Sequence, residues 1–294
     1  MVIRLFIVLL LMAFVCSELH AKPQRNRRLP EGVLVQRDLV YATVEDGVQL
    51  KLDLYLPKKM TGNELLFVWI HGGGWRNGSK AMFQPQIMNL ASLGYAVASI
   101  DYRLGGLQNH PNHIHDCNAA IRWLKAKAPV YGYSIKKVGV GGGSAGGHLA
   151  LLVGVASDVP ALQGKVGDHL DQNSRVDAIV DFYGPSDLYA LGQATARGRK
   201  MNIVEAFGKD ASPVSYLDAH DPPVIIFHGD LDPVVVPQQS ITLDAMYKKL
   251  GVESILHLLK DAKHGGRAFA TPQVGQDIKA FLDKHLKADE SSQK

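Results

Sequence analysis

The sequence predicts an α/β fold, with a mostly parallel central sheet, helices on both faces and an N-terminal antiparallel hairpin. Three observations predict it. Short apolar runs at 65–70, 95–100, 138–141, 176–180 and 224–227 lack polar alternation, as strands buried on both faces do. Helical stretches at 82–93, 115–128, 149–156, 238–250 and 276–286 lie among them. Residues 33–56 behave differently: two β-rich runs flank a turn, and the second alternates. Strands alternating with helices wind a parallel sheet through right-handed crossovers. Such sheets gather function at the carboxyl ends of their strands.

The chain has 294 residues, 46% of them hydrophobic and 20% charged. That composition supports a sizeable core and argues against disorder. The net charge is +4 with the basic residues scattered, so no nucleic-acid stripe is expected. Two cysteines exclude a disulfide scaffold and a Cys-rich zinc module. Residues 1–21 read as a signal peptide for export: Arg4 precedes an uncharged apolar run of eleven residues at 5–15, too short to span a bilayer. An uncleaved anchor and a lipoprotein processed at Cys16 are the alternatives. Residues 22–32 are a basic linker, 33–287 the folded domain and 288–294 a polar tail.

Within the domain, 33–43 and 48–56 form a hairpin around Glu45-Asp46-Gly47. Val48, Leu50, Leu52, Leu54 and Leu56 make its buried face. On 115–128, Cys117, Ala120, Ile121 and Leu124 share one face, which makes Cys117 a core residue. The segment 186–217 is long for an αβ connection. It is expected to form a small cap, with Tyr189, Met201 and Phe207 shaping a pocket.

The chemistry gathers at strand ends. The run 138–141 leads into Gly142-Gly143-Ser144-Ala145-Gly146, a strand–turn–helix with serine at its apex. The serine needs a strained backbone to lift its hydroxyl above the sheet, and only small neighbours allow it. Run 65–70 ends in His71-Gly72-Gly73-Gly74-Trp75, whose free amides can face a developing oxyanion. The amides of Gly73, Gly74 and Ala145 are the expected donors. Run 224–227 is followed by Asp230 and Asp232, and a strand at 255–259 by His264-Gly265-Gly266. Serine, acid and histidine then follow in the chain order such a fold uses. Asp232 is preferred as the acid, because Asp230 is better placed to tie the turn. Trp75 is either pocket lining or core, and Tyr183 is a candidate pocket residue. His71, His148 and His257 are read as packed or supporting groups, and Asp101 and Arg103 as structural anchors. His113 and His115 are too irregularly placed for a metal site.

These segments carry a resemblance. His71–Trp75, 101–104 (DYRL), 142–150 (GGSAGGHLA), 181–185 (DFYGP), 228–235 (HGDLDPVV) and 263–265 (KHG) resemble the α/β-hydrolase superfamily. The nearest likeness is to serine esterases of the BD-FAE-like (feruloyl/acetyl-xylan esterase) and hormone-sensitive-lipase-like groups. Hormone-sensitive-lipase-like elbows usually carry an acid before the serine; here Gly143 stands there, which favours the xylan-esterase-like branch. The resemblance implies Ser144 as nucleophile, His264 as base and Asp232 as orienting acid. It implies short acyl esters of small molecules or saccharides as substrates, with no metal or organic cofactor. Arylformamidase-like amide cleavage is the first alternative, suggested by the HGGGW segment. A non-catalytic binding protein on a hydrolase fold is the second.

Overall fold

The computed structural model describes residues 29–194 and 209–287. The expected signal segment 1–21, linker residues 22–28, cap residues 195–208 with Met201 and Phe207, and the tail 288–294 lie outside the described residues. The end of the linker is tied to the domain. Leu29 packs on the core, and the Gly32 carbonyl accepts a 2.7 Å bond from the Lys58 amide.

Eight strands form one sheet: β1 (Val33–Thr43), β2 (Gln49–Pro57), β3 (Leu65–Ile70), β4 (Tyr95–Ile100), β5 (Ser134–Gly143), β6 (Ala178–Phe182), β7 (Val224–Gly229) and β8 (Ser254–Leu259). Their order is β1-β2-β4-β3-β5-β6-β7-β8. The β1–β2 hairpin joins β4 antiparallel, and β4 through β8 run parallel. The described helices are α1 (Pro85–Ser92), α2 (Asn112–Tyr131), α3 (Ala145–Val155), α4 (Pro160–Gln163), α5 (Leu188–Ala194), α6 (Gln238–Lys249) and α7 (Pro272–Leu286).

The sheet divides the core into two layers. Leu66, Val68 and Ile70 of β3 point to a cluster with α2, α3 and α6. Phe67 and Trp69 of the same strand point to the opposite cluster with α1 and α7. This is the two-sided burial that the unalternating runs require. Cys117, Ala120, Ile121 and Leu124 are fully buried along one face of α2.

Several boundaries differ from the sequence expectation, each for a local reason. Helix α1 starts at Pro85, because proline restricts the residue before it and suits the first helical position. Helix α3 starts at Ala145, four residues earlier than hydrophobicity suggests, since Gly146 and Gly147 belong to its first turn. Helix α7 starts at Pro272, capped by the Thr271 side chain, which accepts from the Val274 amide. Strand β2 is not half-exposed throughout. Val48 precedes it and is 50% exposed, whereas Asp53 and Tyr55, on the face expected to be polar, are buried. Tyr55 packs edge-on against Phe83, and Asp53 binds Lys80 Nζ at 2.7 Å and Arg37 Nη1 at 3.3 Å. Asp101 and Arg103 anchor separate partners. Asp101 accepts from the Lys80 amide, and Arg103 grips the buried Asp116 through Nε and Nη2.

The helix that carries the elbow is pressed against the sheet. A Cβ on Gly146 would sit 2.1 Å from the Ile70 carbonyl oxygen and 2.6 Å from that of His71. Both are backbone atoms that cannot swing aside. Gly146→Ala is therefore expected to destabilise the protein by about 2–3 kcal/mol, roughly 5–10 °C in a thermal melt. A melting temperature within about 2 °C of wild type would contradict this packing.

Candidate active site

Four loops meet above the carboxyl edge of β3, β5, β7 and β8. Ser144 stands between β5 and α3 with φ 57° and ψ −121°. A side chain in that region costs on the order of 1–3 kcal/mol and persists only where its surroundings hold it. The Ser144 amide donates to the Phe182 carbonyl at 2.8 Å, and its own carbonyl accepts from His148 at 3.0 Å. A Cβ on Gly142 would lie 2.2 Å from the Gly146 carbonyl oxygen, so glycine is required where strand turns into helix.

His264 comes from the loop after β8, where Gly265 and Gly266 take positive φ values of 86° and 102°. Its Nδ1 lies 2.6 Å from Asp232 Oδ2 and its Nε2 lies 2.8 Å from Ser144 Oγ. An ionised carboxylate can only accept, so Nδ1 carries the proton and Nε2 is free to accept from the serine hydroxyl. Asp232, whose side chain is fully buried, sits in the loop after β7. Its Oδ1 accepts from the amides of Val234 (2.8 Å) and Val235 (3.0 Å). Burial pushes its pKa up, but hydrogen bonds from His228, His264 and the Val234 amide outweigh that and hold it well below the usual carboxylate range.

It is Asp232 that meets His264, and the turn expected to be tied by Asp230 is tied by Asp232 instead. Asp232 itself ties the turn, while Asp230 is exposed. A carboxylate has two oxygens, so one can bind the turn while the other faces His264.

The glycine loop lies beside the elbow. A Cβ on Gly72 would stand 2.6 Å from the Gly143 carbonyl oxygen and 3.4 Å from Ser144 Cβ. Gly73, Gly74 and Trp75 all have positive φ, at 123°, 62° and 59°. The Gly73 carbonyl accepts from the amides of Arg76 (3.2 Å) and Asn77 (3.1 Å). The amides of Gly73, Gly74 and Ala145 have no intramolecular acceptor among the described residues. Ala145 opens α3, where backbone N–H groups lack helical partners and favour negative charge. His71 lies beneath the loop, stacked on Tyr102, with Nδ1–H donating to the Gly72 carbonyl at 2.7 Å. Burial lowers its pKa to about 4, which keeps it neutral.

Trp75 and Tyr183 occupy different sides of the site. Trp75 is buried in the core, and its indole N–H donates to His148 Nδ1 at 3.2 Å. Tyr183, with φ 45°, places its ring 4.7 Å from that of His264, and its hydroxyl accepts from Gln84 Nε2. Sequence reasoning missed what His148 connects. Its Nε2–H donates to the Ala211 carbonyl at 2.7 Å, so one buried imidazole joins the glycine loop, the elbow helix and the segment that ends before β7. Burial drives its pKa down to about 3, so the ring is neutral. Position 148, one turn into the elbow helix, was the available signal.

Asp181, at 0% exposure, was also missed. Its Oδ1 accepts from the Gly184 amide, and its Oδ2 has no partner among the described residues. Burial raises its pKa to about 7, partly countered by His228 and the Gly184 amide.

Comparison with known proteins gives a consistent picture. Residues 52–247 match the BD-FAE family model. Esterase LipC of Mycobacterium tuberculosis is 30% identical over 236 residues, covering 75% of this chain and 58% of LipC. The probable carboxylic ester hydrolase LipM of the same organism is 32% identical over 234 residues, covering 74% of this chain and 53% of LipM. The chain thus spans little more than half the length of these curated relatives. Among solved structures, a truncated carbohydrate esterase from gut microbiota superposes with a TM-score of 0.76 at 28% identity, covering 85% of this chain and 95% of that one. Propionate-bound esterase 2 of Thermogutta terrifontis gives a TM-score of 0.72 at 31% identity, covering 87% and 96%.

The Asp181 titration has a stability consequence. Its folded pKa of about 7 lies above the unfolded value, near 3.9. Between the two, the folded state keeps a proton that the unfolded state has released. Stability from this group therefore falls as pH rises, by up to about 1.4 kcal/mol per unit. Asp181→Asn cannot titrate. The melting temperature of the variant minus that of wild type should climb from pH 5 to pH 8; a constant difference would contradict the assignment.

Proposed function

The chain belongs to the BD-FAE family, and from that premise we propose that it is a serine carboxylic ester hydrolase acting on short acyl esters, including acetyl or feruloyl esters of sugars and polysaccharide. Ser144 is the nucleophile. Its Oγ adds to the ester carbonyl carbon as its proton passes to His264 Nε2. The carbonyl oxygen takes the negative charge and faces the amides of Gly73, Gly74 and Ala145. Collapse breaks the bond to the alkoxy oxygen, which leaves with the proton from His264. Water then adds to the acyl carbon and gives its proton to His264. The second collapse frees the acid and reprotonates Ser144. Asp232 holds the imidazole in one tautomer and stabilises its charged form. The scheme calls on no metal or organic cofactor.

One observation carries this assignment: an unbroken hydrogen-bonded chain from Ser144 Oγ through His264 to Asp232, beside amides with no acceptor among the described residues. The preference for short acyl groups and saccharides draws support from the similar carbohydrate esterase and the propionate-bound esterase. Segment 186–217 acts as a cap over the pocket, which Tyr183 helps to line; Trp75 belongs to the core. Its described ends are fastened down: the Leu188 amide donates to Ser212 Oγ, and Ala211 is held by His148. Export is part of the proposal and rests on Arg4 and the apolar run at 5–15.

The test is a kinetic panel of 4-nitrophenyl acetate, butyrate and octanoate, an acetylated xylo-oligosaccharide and a formyl anilide. Short esters should give the highest kcat/KM, and Ser144→Ala should lose at least about 10³-fold while keeping its circular dichroism. Preference for the formyl anilide would replace ester by amide hydrolysis. Folded wild type without any turnover would point to a binding protein.

A further inference from the structure

His228 is a buried titratable group beside the site that the acyl-transfer scheme leaves unused. It is the penultimate residue of β7 and has no exposed surface. Its Nδ1 lies 2.6 Å from Ser240 Oγ of α6, itself fully buried. Its Nε2 lies 2.8 Å from the Val235 carbonyl and 3.4 Å from Asp232 Oδ2. Both atoms facing Nε2 are acceptors, so Nε2 must carry the proton and Nδ1 must accept from the Ser240 hydroxyl. The serine thus fixes the tautomer, and the tautomer aims an N–H at the Val235 carbonyl with the oxygen that also binds His264 beside it, 3.4 Å away.

We propose, on the premise of the acyl transfer described above, that His228 is a positioning residue for Asp232: its Nε2–H holds Oδ2 in place for His264 and shares that oxygen's charge. Asp232 then has a donor set complete enough for a buried carboxylate. Two amides serve Oδ1, while Oδ2 has the His264 N–H at 2.6 Å and the shared His228 N–H at 3.4 Å. A fully buried anion needs such partners, because desolvation alone would force its protonation.

Withdrawing the His228 donor has a signed effect. Oδ2 would carry more charge and hold the protonated form of His264 more tightly. The acid limb of the kcat/KM profile would then move to higher pH. The other polar groups around His228 are Asp181 of β6, Tyr183 after β6 with its ring 6.5 Å away, and Tyr247 of α6 near Asp181. His257 of β8 stacks on the neighbouring Phe227. Asp181 interacts electrostatically with the His228 ring, so the comparison is repeated in an Asp181→Asn background.

The experiment compares kcat/KM against pH for wild type, His228→Gln and His228→Asn on 4-nitrophenyl acetate. A glutamine amide reaches the position of Nε2, whereas an asparagine amide reaches only that of Nδ1. His228→Asn should move the acid-limb midpoint up by about half a pH unit, and His228→Gln should stay within about 0.2 of wild type. Equal midpoints in both variants, shifted or not, would overturn the role whatever their melting temperatures. If His228→Asn does not fold, Ser240→Ala leaves the ring in place and frees its tautomer. It should give an upward shift of about a quarter unit, and no shift would overturn the role. Wild-type turnover is read first. Its absence would overturn the esterase assignment and this role with it. Turnover with an unshifted His228→Asn midpoint overturns the role of His228 alone.

Discussion

The site depends on one strained residue. Ser144 can hold φ 57° only because the strand before it, the helix after it and the strand beside it leave the backbone no other route. Glycines at 142 and 146 let α3 close on the sheet at backbone contact distance, and the Phe182 carbonyl takes the Ser144 amide. The same compression leaves the first free amide of α3, that of Ala145, directly after the serine. Strain of a few kcal/mol is paid for by a core of two apolar layers, which no single loop could supply.

The second requirement is a carboxylate that stays charged out of water. Asp232 meets it with donors drawn from its own turn and from His264 in the loop after β8, with His228 at the end of β7 beside it. His148 plays a neutral counterpart. Burial keeps its ring uncharged, and its two nitrogens fix the glycine loop and the stretch around Ala211 relative to α3. Asp181 does the opposite of Asp232. With a single amide on one oxygen, it lacks the donors to keep its charge at ordinary acidity.

Much of this was legible in the residues. The unalternating runs gave β3 and β4 at their observed bounds, because burial on both faces removes the polar positions that blur a strand's ends. The glycine spacings marked the elbow and the loop after β3, since each records a place where a Cβ cannot go. Partnerships were harder to read. Asp53 and Tyr55 were expected to face water, because nothing local shows that Lys80 and Phe83 cover them. Asp232 was preferred for a reason that belongs to Asp232 itself, because a sequence does not show that one carboxylate serves two directions. His148 reads as a packed or supporting residue in the sequence, and His228 only as part of a strand-end segment; the fold shows which atoms their nitrogens meet.

The most direct measurement is the intact mass of the protein after exposure to a fluorophosphonate, followed by peptide mapping. Attack by the serine hydroxyl on phosphorus expels fluoride and leaves a stable adduct that copies the geometry of acyl transfer. One adduct per chain on Ser144, lost in His264→Ala, is the result this structure predicts. An adduct on another residue, or undiminished labelling without the His264 imidazole, would contradict it.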